Sequence, residues 1–413
     1  MRQLRYLGVV AAVVLLLGVG LGAGVALDRT DLLPGAVRCE PTSVAPTFSV
    51  FWQAWDLVEQ HYVDQKALDP QQMTYGAIEG MLDSLGDTGH TRFLAPETLK
   101  QEQDSLSGHL EGIGAEISIR SGQPTIVAPL PGSPAQKAGV RPDDVIVKVD
   151  GKDVSNLTLD QVVNLVRGPA GSSVTLTVIH KGDTSLTDIT VTRASISVPN
   201  VTWALLPGTT VAHLLVAQFA ENCTNDLVSA VKDAQAKGAN AFVLDLRNNP
   251  GGLRDEAIGV ASQFLNGGNV LIEQDAQGHQ TTYAVKPGGV ATDVPLVVLI
   301  NEGTASSAEI VAGAVQDQHR ASLVGATTFG TGTVLSLFNL SDGSAMFLGT
   351  EEWFTPSGRQ IWHHGISPDI PVTLPNGAVP LTPYEENSMT PQQLQSSQDT
   401  QLLRALQEVT QGH

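Results

Sequence analysis

Residues 296–310 read LVVLINEGTASSAEI and contain the junction that decides the fold. Five consecutive apolar residues predict a buried strand, a polar turn follows, and the spacing beyond it predicts a helix. The same arrangement occurs earlier, where the predicted buried strand 241–246 leads into the Asn-Asn-Pro-Gly-Gly turn at 248–252. This alternation of strands and helices predicts a mixed α/β class, with a layered core domain over residues 197–375.

The composition excludes several classes of protein. Apolar residues make up 42% of the 413-residue chain, so it is long and apolar enough for two or three folded domains. The 23 basic and 42 acidic residues give 23 − 42 = −19, which argues against a nucleic-acid partner. No cysteine and histidine spacing typical of zinc is present, and we expect neither a metal nor a cofactor.

The first thirty residues predict a membrane anchor. Arg2 and Arg5 precede an uncharged run from residue 6 to 27, which is long enough to span a bilayer as a helix. Positive charge on its N-terminal side keeps that end in the cytoplasm. We therefore predict a single-pass cell-membrane protein with most of the chain outside the cytoplasm. The alternative is a signal peptide cleaved near Gly24-Val25-Ala26.

Three further segments surround the predicted core. Residues 31–47 are predicted to be a linker and residues 48–107 a helical region, in which apolar side chains recur every three to four positions. Residues 376–413 are predicted to be a polar tail that ends in a short helix. Cys39 and Cys223 are the two cysteines, and a disulfide between them is left open.

Residues 108–196 predict a compact domain of short strands. It opens with Gly112-Ile113-Gly114-Ala115, where glycines allow backbone amides to turn outward and bind a peptide carboxylate. Ser133-Pro134-Ala135 and the Asp-Asp-Val-Ile segment at 143–146 follow in the order typical of a PDZ domain. The segment resembles such a domain, which implies binding of protein C-terminal tails by strand addition.

The two strand-to-helix junctions hold the candidate chemistry. A serine at such a corner lies near a helix N-terminus, where the dipole favours a developing oxyanion. Ser306 has this position, although a serine here is also an ordinary helix N-cap. Backbone amides of the turn at 248–252 are candidates for binding the same oxyanion, and a purely structural turn is the alternative.

Taken in order, the motifs resemble the carboxyl-terminal processing, or tail-specific, serine proteases. The resemblance covers about residues 48–371. It depends on the two junctions, the PDZ-like segment and three flanking motifs, which are GAIEGMLDSLGD at 76–87, FTPSGR at 354–359 and GISPD at 365–369.

The resemblance implies specific roles. Ser306 matches the nucleophile, and the backbone amides of Gly252 and Ser307 match the oxyanion donors. Asp317 matches an aspartate near the family's site. The family's general base is a lysine 25 residues after the serine, a position held here by Thr331 between two glycines, and Leu335 replaces a glutamine that supports that lysine.

The threonine at position 331 leads to three hypotheses about function. A serine hydroxyl is a weak nucleophile until a neighbour accepts its proton, and threonine has no basic form near neutral pH. One hypothesis is a membrane-anchored serine endopeptidase that cuts exported proteins near their C-termini. The alternative is an inactive pseudoprotease that binds C-terminal tails. A third is an active enzyme with another base, for which His363 and His364 are candidates. A homo-oligomer is left open.

Overall fold

The computed structural model describes residues 45–87, 90–120, 122–130 and 132–411. Contacts divide the described residues into a smaller unit, residues 45–84 with 339–343, and a larger unit with the remaining described residues. Of the described part of the chain, no helix is long and apolar enough to cross a membrane. The predicted anchor at 1–30 lies outside the described residues, as does Cys39.

The described N-terminal part of the smaller unit, residues 45–84, is mainly helical. It contains α1 (Ala45–His61), a 3₁₀ turn (Gln65–Ala67) and α2 (Pro70–Asp83). The helix α2 begins with Pro70 after Asp69, whose carboxylate accepts from the amides of Gln71 and Gln72 and so caps the helix. This agrees with the helical pattern predicted here, although residues 85–107 of the predicted helical region belong to the larger unit.

A PDZ-like barrel forms the first part of the larger unit. The strands β3 to β8 form one sheet, in which β3, β4, β5, β7 and β8 are consecutive neighbours and β6 pairs with β5. The strands β2 and β9 form a separate two-stranded sheet. The apolar side chains of the strands pack on α5 and form a separate core. The elements are β2 (His109–Gly112), β3 (Ala115–Arg120), β4 (Gln123–Pro129), α4 (Pro134–Ala138), β5 (Val145–Val149), β6 (Lys152–Asp153), α5 (Leu159–Val166), β7 (Ser173–Ile179), β8 (Leu186–Thr192) and β9 (Ala194–Ser197).

The second part is a three-layer α/β core. Its sheet has the order β10-β11-β12-β15-β16-β19, with β10 antiparallel to β11 and the other neighbours parallel. The strands are β10 (Val201–Leu205), β11 (Val211–Val216), β12 (Ala241–Asp245), β15 (Leu296–Ile300), β16 (Ser322–Gly325) and β19 (Ile370–Pro371).

Helices cover both faces of this sheet. One face packs on α6 (Cys223–Ala236), α7 (Arg254–Phe264) and α8 (Ser307–Asp317). The other face packs on the C-terminal segment, which contains α9 (Pro383–Glu386), α10 (Pro391–Gln395) and α11 (Thr400–Gln411). The segment predicted to be a tail is therefore a layer of the core, because Leu394, Leu402 and Leu406 bury their side chains against the sheet.

A second, mostly antiparallel sheet flanks the core. It contains β1 (Arg92–Leu94), β13 (Asn269–Asp275), β14 (Gln280–Ala284), β17 (Thr333–Asn339) and β18 (Ala345–Phe354). The helix α3 (Pro96–Leu106) follows β1. Cys223 is buried at the start of α6, and this burial raises the pKa of its thiol. The pairing with Cys39 that the sequence leaves open involves a residue outside the described part of the chain.

A buried ionic network joins the C-terminal layer to the sheet. His213 on β11 has Glu386 2.7 Å from Nδ1 and Asp245 3.0 Å from Nε2. Burial by itself lowers the pKa of His213, but the two carboxylates outweigh it and raise the pKa from 6.5 to about 10.

This network predicts a specific pH dependence of stability. Because the folded pKa of His213 is raised, its contribution is complete below pH 6.5 and is lost as the pH rises toward about 10. We expect the stability difference between the parent and His213→Gln to be largest near pH 6 and to shrink steadily by pH 10. Thermal unfolding midpoints across that range measure this difference. The variant His279→Gln, at an exposed histidine beside Asp275, is the control, and a constant difference for His213→Gln contradicts the prediction.

Candidate functional site

The two predicted junctions meet at one edge of the core sheet. The strands β12 and β15 are parallel neighbours, so the turns that follow them emerge side by side. The amide of Asn248 donates to Asn301 Oδ1 at 2.8 Å, and Asn301 Nδ2 donates back to Asn248 Oδ1 at 2.8 Å. Thr304 Oγ1 donates to the carbonyl of Leu246 at 2.8 Å. These three bonds hold the two turns as one rigid unit.

Ser306 has a strained backbone at the start of α8. Its φ is 54° and its ψ is −122°, a conformation that L-residues rarely adopt. The turn at 248–252 packs directly against it, since a Cβ on Gly251 would lie 2.6 Å from Ser306 Cβ. Only glycine fits there. The surrounding packing therefore fixes both the position and the backbone of this half-buried serine.

The two candidate oxyanion donors lie next to this serine. Ser307 is the first residue of α8, and the first amides of a helix have no acceptor within the helix. Its hydroxyl donates to the carbonyl of Gly252 at 2.9 Å, which ties the two residues together. The structure thus brings Ser306, Ser307 and Gly252 to one place.

Thr331 also reaches Ser306. The amide of Ser306 donates to Thr331 Oγ1 at 2.9 Å, and Thr331 Oγ1 donates to Glu309 Oε2 at 2.9 Å. The threonine is 6% exposed. The position assigned to the family's base is therefore in contact with the candidate nucleophile, although the group found there is a hydroxyl.

Glu309 is a member of the site that the sequence analysis missed. Its fully buried carboxylate accepts from the amides of Ser306, Gly330 and Thr331 and from the hydroxyls of Thr328 and Thr331, at 2.6–2.9 Å. Its place three residues after a serine at a helix start is a signal for the capping pattern. The hydrogen bonds that Glu309 accepts from residues 328–331 depend on the tertiary structure and have no signal in the sequence.

Asp317 does not belong to this site, and the prediction for it is wrong. Ser306 and Asp317 lie at opposite ends of α8, about 16 Å apart at the helical rise. Asp317 forms an ion pair with Arg359 and accepts from the amide of Ser357 at 2.8 Å. Burial opposes its ionisation, but the bonds from Ser357 and Thr355 and the charge of Arg359 lower the pKa of its carboxyl. Its role is to hold the end of α8.

His363 and His364, the two candidates for an alternative general base, lie beside the loop that contains Thr331. The amide of His363 donates to the carbonyl of Gly330 at 2.9 Å, and its exposed ring stacks on Trp362 at 4.6 Å. The exposed His364 has its Nδ1 2.7 Å from the carbonyl of Trp362. Leu335 is half-buried on β17. Within residues 45–87, 90–120, 122–130 and 132–411, no group of three His, Cys, Asp or Glu is arranged to hold a metal.

A second candidate site lies in the PDZ-like domain. Gly112, Ile113, Gly114 and Ala115 line a cavity of about 400 Å³ next to α5. The walls are mainly apolar, and part of the lining comes from the core strands β10 and β11. The other lining residues include Ile117, Val163, Val166, Leu215 and Ala217. A mainly apolar cavity beside a strand and a helix suits an extended peptide with an apolar end.

Comparisons with known proteins identify two domain families in this chain. Residues 210–372 match the model of peptidase family S41, and residues 125–179 match a PDZ domain model. The carboxyl-terminal-processing protease of Synechocystis sp. is 39% identical over 344 residues, which are 78% of this chain and 80% of that protein. The carboxy-terminal processing protease CtpA of Bacillus subtilis is 34% identical over 327 residues, with 79% of this chain and 69% of that protein covered.

A solved structure supports the fold. A putative S41 protease from Bacteroides fragilis superimposes with a TM-score of 0.56 at 18% identity, covering 86% of this chain and 96% of that one. At this identity the likeness concerns the fold alone. The alignments with the two sequence relatives span most of this chain and most of each relative. The chain therefore belongs to the carboxyl-terminal processing proteases of peptidase family S41.

Proposed function

We propose that this protein is a serine endopeptidase that cuts exported proteins near their C-termini, after its PDZ domain has bound the tail. Ser306 is the nucleophile, and the amides of Gly252 and Ser307 bind the oxyanion. The observation that carries the proposal is the strained backbone of Ser306 against Gly251. Such strain costs on the order of 1–3 kcal/mol and persists at functional sites, where it is part of the mechanism.

The proposed reaction follows from these positions. Ser306 Oγ attacks the scissile carbonyl carbon, and the amides of Gly252 and Ser307 stabilise the charge that develops on the carbonyl oxygen. The helix dipole adds to that stabilisation. The tail bound beside Gly112–Ala115 keeps the rest of the substrate near the site, which raises its effective concentration there.

The inactive alternative has its own supporting observation. The hydroxyl of Thr331 is engaged with Glu309 and with the amide of Ser306, and it offers no basic form. Loss of a base typically leaves about 10³–10⁴-fold catalysis over water, supplied by the oxyanion hole and substrate binding. In this alternative, the protein binds tails without cutting them.

One experiment separates the two functions. The full chain in detergent, Ser306→Ala and Thr331→Lys are each incubated with an unfolded reporter protein that ends in an apolar residue, and mass spectrometry follows cleavage. We expect the parent to cut and Ser306→Ala to be inert. A parent that is inert and binds the tail, beside an active Thr331→Lys, establishes the tail-binding alternative instead.

The cellular location remains part of the proposal. The uncharged run at 6–27 after Arg2 and Arg5 supports a retained anchor with the bulk of the chain outside the cytoplasm. Mass spectrometry of the mature N-terminus separates a retained anchor from cleavage after Ala26. Association into a homo-oligomer stays a prediction, which sedimentation of the full chain in detergent tests.

A further inference from the structure

His90 is a buried histidine with no role in the site described so far. It lies two residues before β1 and is 8% exposed. Its Nδ1 is 2.5 Å from the hydroxyl of Thr333, the first residue of β17. A buried imidazole with one ring nitrogen held in place is a typical general base.

Thr333, the hydrogen-bond partner of His90, directly follows the loop that contains Thr331. Thr333 is two residues beyond Thr331, and two residues span at most about 7 Å. Thr331 Oγ1 in turn accepts from the amide of Ser306 at 2.9 Å. Gly332 between the two threonines has a φ of 59°, and a Cβ there would lie 2.1 Å from the amide nitrogen of Trp362. Tight packing therefore fixes this short connection, which links His90 through Thr333 and Thr331 to the amide of Ser306.

The environment keeps His90 neutral. Burial lowers the pKa of His90 from 6.5 to about 4, the Asp87 carboxylate opposes this, and the Arg92 guanidinium adds to it. A neutral imidazole has one N–H and one lone pair. In the tautomer that has its N–H on Nδ1, this group donates to Thr333 Oγ1 and the lone pair is on Nε2.

We infer that His90 Nε2 is the general base for Ser306, in place of a lysine at position 331. The inference rests on the proposed function. The Oγ proton of Ser306 passes to Nε2, directly or through one water, as the bond from Oγ to the carbonyl carbon forms. His90 then protonates the leaving amine nitrogen as the carbon–nitrogen bond breaks. Water hydrolyses the resulting ester with the same proton transfers, and restores Ser306.

The other basic groups near the loop are occupied. Both oxygens of Glu309 already accept from amides and hydroxyls. The ring of His363 stacks on Trp362, and His364 Nδ1 is in contact with the carbonyl of the same residue. Of these groups, His90 is the buried neutral imidazole.

The test is a double-mutant cycle in the full chain, with the reporter protein used above. The variants are His90→Gln, Thr331→Lys and the double variant. We expect His90→Gln to lower kcat by about 10²–10⁴-fold with KM nearly unchanged. Thr331→Lys is expected to restore cleavage to His90→Gln, because a lysine base makes the imidazole dispensable. The variant His279→Gln, at an exposed hairpin histidine, is expected to behave as the parent.

The pH dependence gives a second readout that a structural role would not change. The parent is expected to keep its kcat/KM down to mildly acid pH and to lose it as the pH approaches about 4. The double variant is expected to gain activity only toward alkaline pH, since its lysine must first lose a proton.

Each outcome decides the inference. Unchanged kcat in His90→Gln overturns it while the proposed function stands. A His90→Gln variant that Thr331→Lys does not rescue also overturns it, because the histidine then has a structural role. A parent without Ser306-dependent cleavage defeats the proposed function, and the inference with it.

Discussion

Replacing Arg247 by methionine is expected to lower the free energy of unfolding by about 3–5 kcal/mol, because it leaves the buried Asp399 without its cation and Asp245 with His213 alone. Arg247 is 3% exposed. It donates to Asp245 at 2.6–3.0 Å and to Asp399 at 2.8 and 3.0 Å. Asp399 in turn accepts from the amides of Leu381 and Leu402, at 2.8 and 2.9 Å. The loss should therefore loosen the C-terminal layer as well as the sheet.

Urea unfolding of the full chain in detergent, followed by tryptophan fluorescence, measures the loss, and limited proteolysis reports release of residues 376–411. The control is Lys100→Met, which removes an exposed ion pair with Glu111 and is expected to cost less than about 1 kcal/mol. Equal effects of the two substitutions would mean that the carboxylates around Arg247 tolerate its loss.

Replacing Glu309 by glutamine is expected to lower the rate of Ser306-dependent cleavage by at least about 100-fold, although the shape is nearly unchanged. Every partner of the carboxylate is a donor, with two amides and one hydroxyl on Oε2 and one of each on Oε1. A glutamine must direct its NH₂ group at one of these sets, which breaks the bonds and leaves buried donors unpaired at about 1–3 kcal/mol each. The backbone of Ser306 then loses one of its anchors.

The initial rate of reporter cleavage and the thermal midpoint measure this effect. The matched control is Glu302→Gln, since Glu302 is an exposed residue of the same loop and its replacement is expected to change neither quantity. A Glu309→Gln enzyme with the parent's rate would show that the backbone of Ser306 is held by packing alone, chiefly against Gly251.

Much of the site could be predicted because its parts are local. An apolar run followed by Asn, Gly and Ser is a strand that leads into a turn and then a helix, whatever surrounds it. Parallel neighbouring strands bring their carboxyl ends together, so the junctions at 248–252 and 301–307 meet. The peptide-binding segment Gly112–Ala115 could likewise be predicted from its local glycine pattern, and it lines the cavity beside α5.

The residues that escaped prediction act across long stretches of chain. His90 contacts Thr333, 243 positions away, and Arg247 contacts Asp399, 152 positions away. No local pattern encodes such pairs, because their bonds depend on which side chains the folded core places together. Asp317 shows the converse error, since a match in sequence placed it near Ser306 although α8 separates the two.

The sequence by itself determined the α/β class, the PDZ-like segment, the family and the corner serine, because strand, turn and helix signals are short-range and occur in a typical order. Only the tertiary structure decided the strained backbone of Ser306, the buried acceptor Glu309 and the third layer at 376–411. The physical reason is that burial and hydrogen-bond partners are properties of packed surfaces, which form only when distant segments meet.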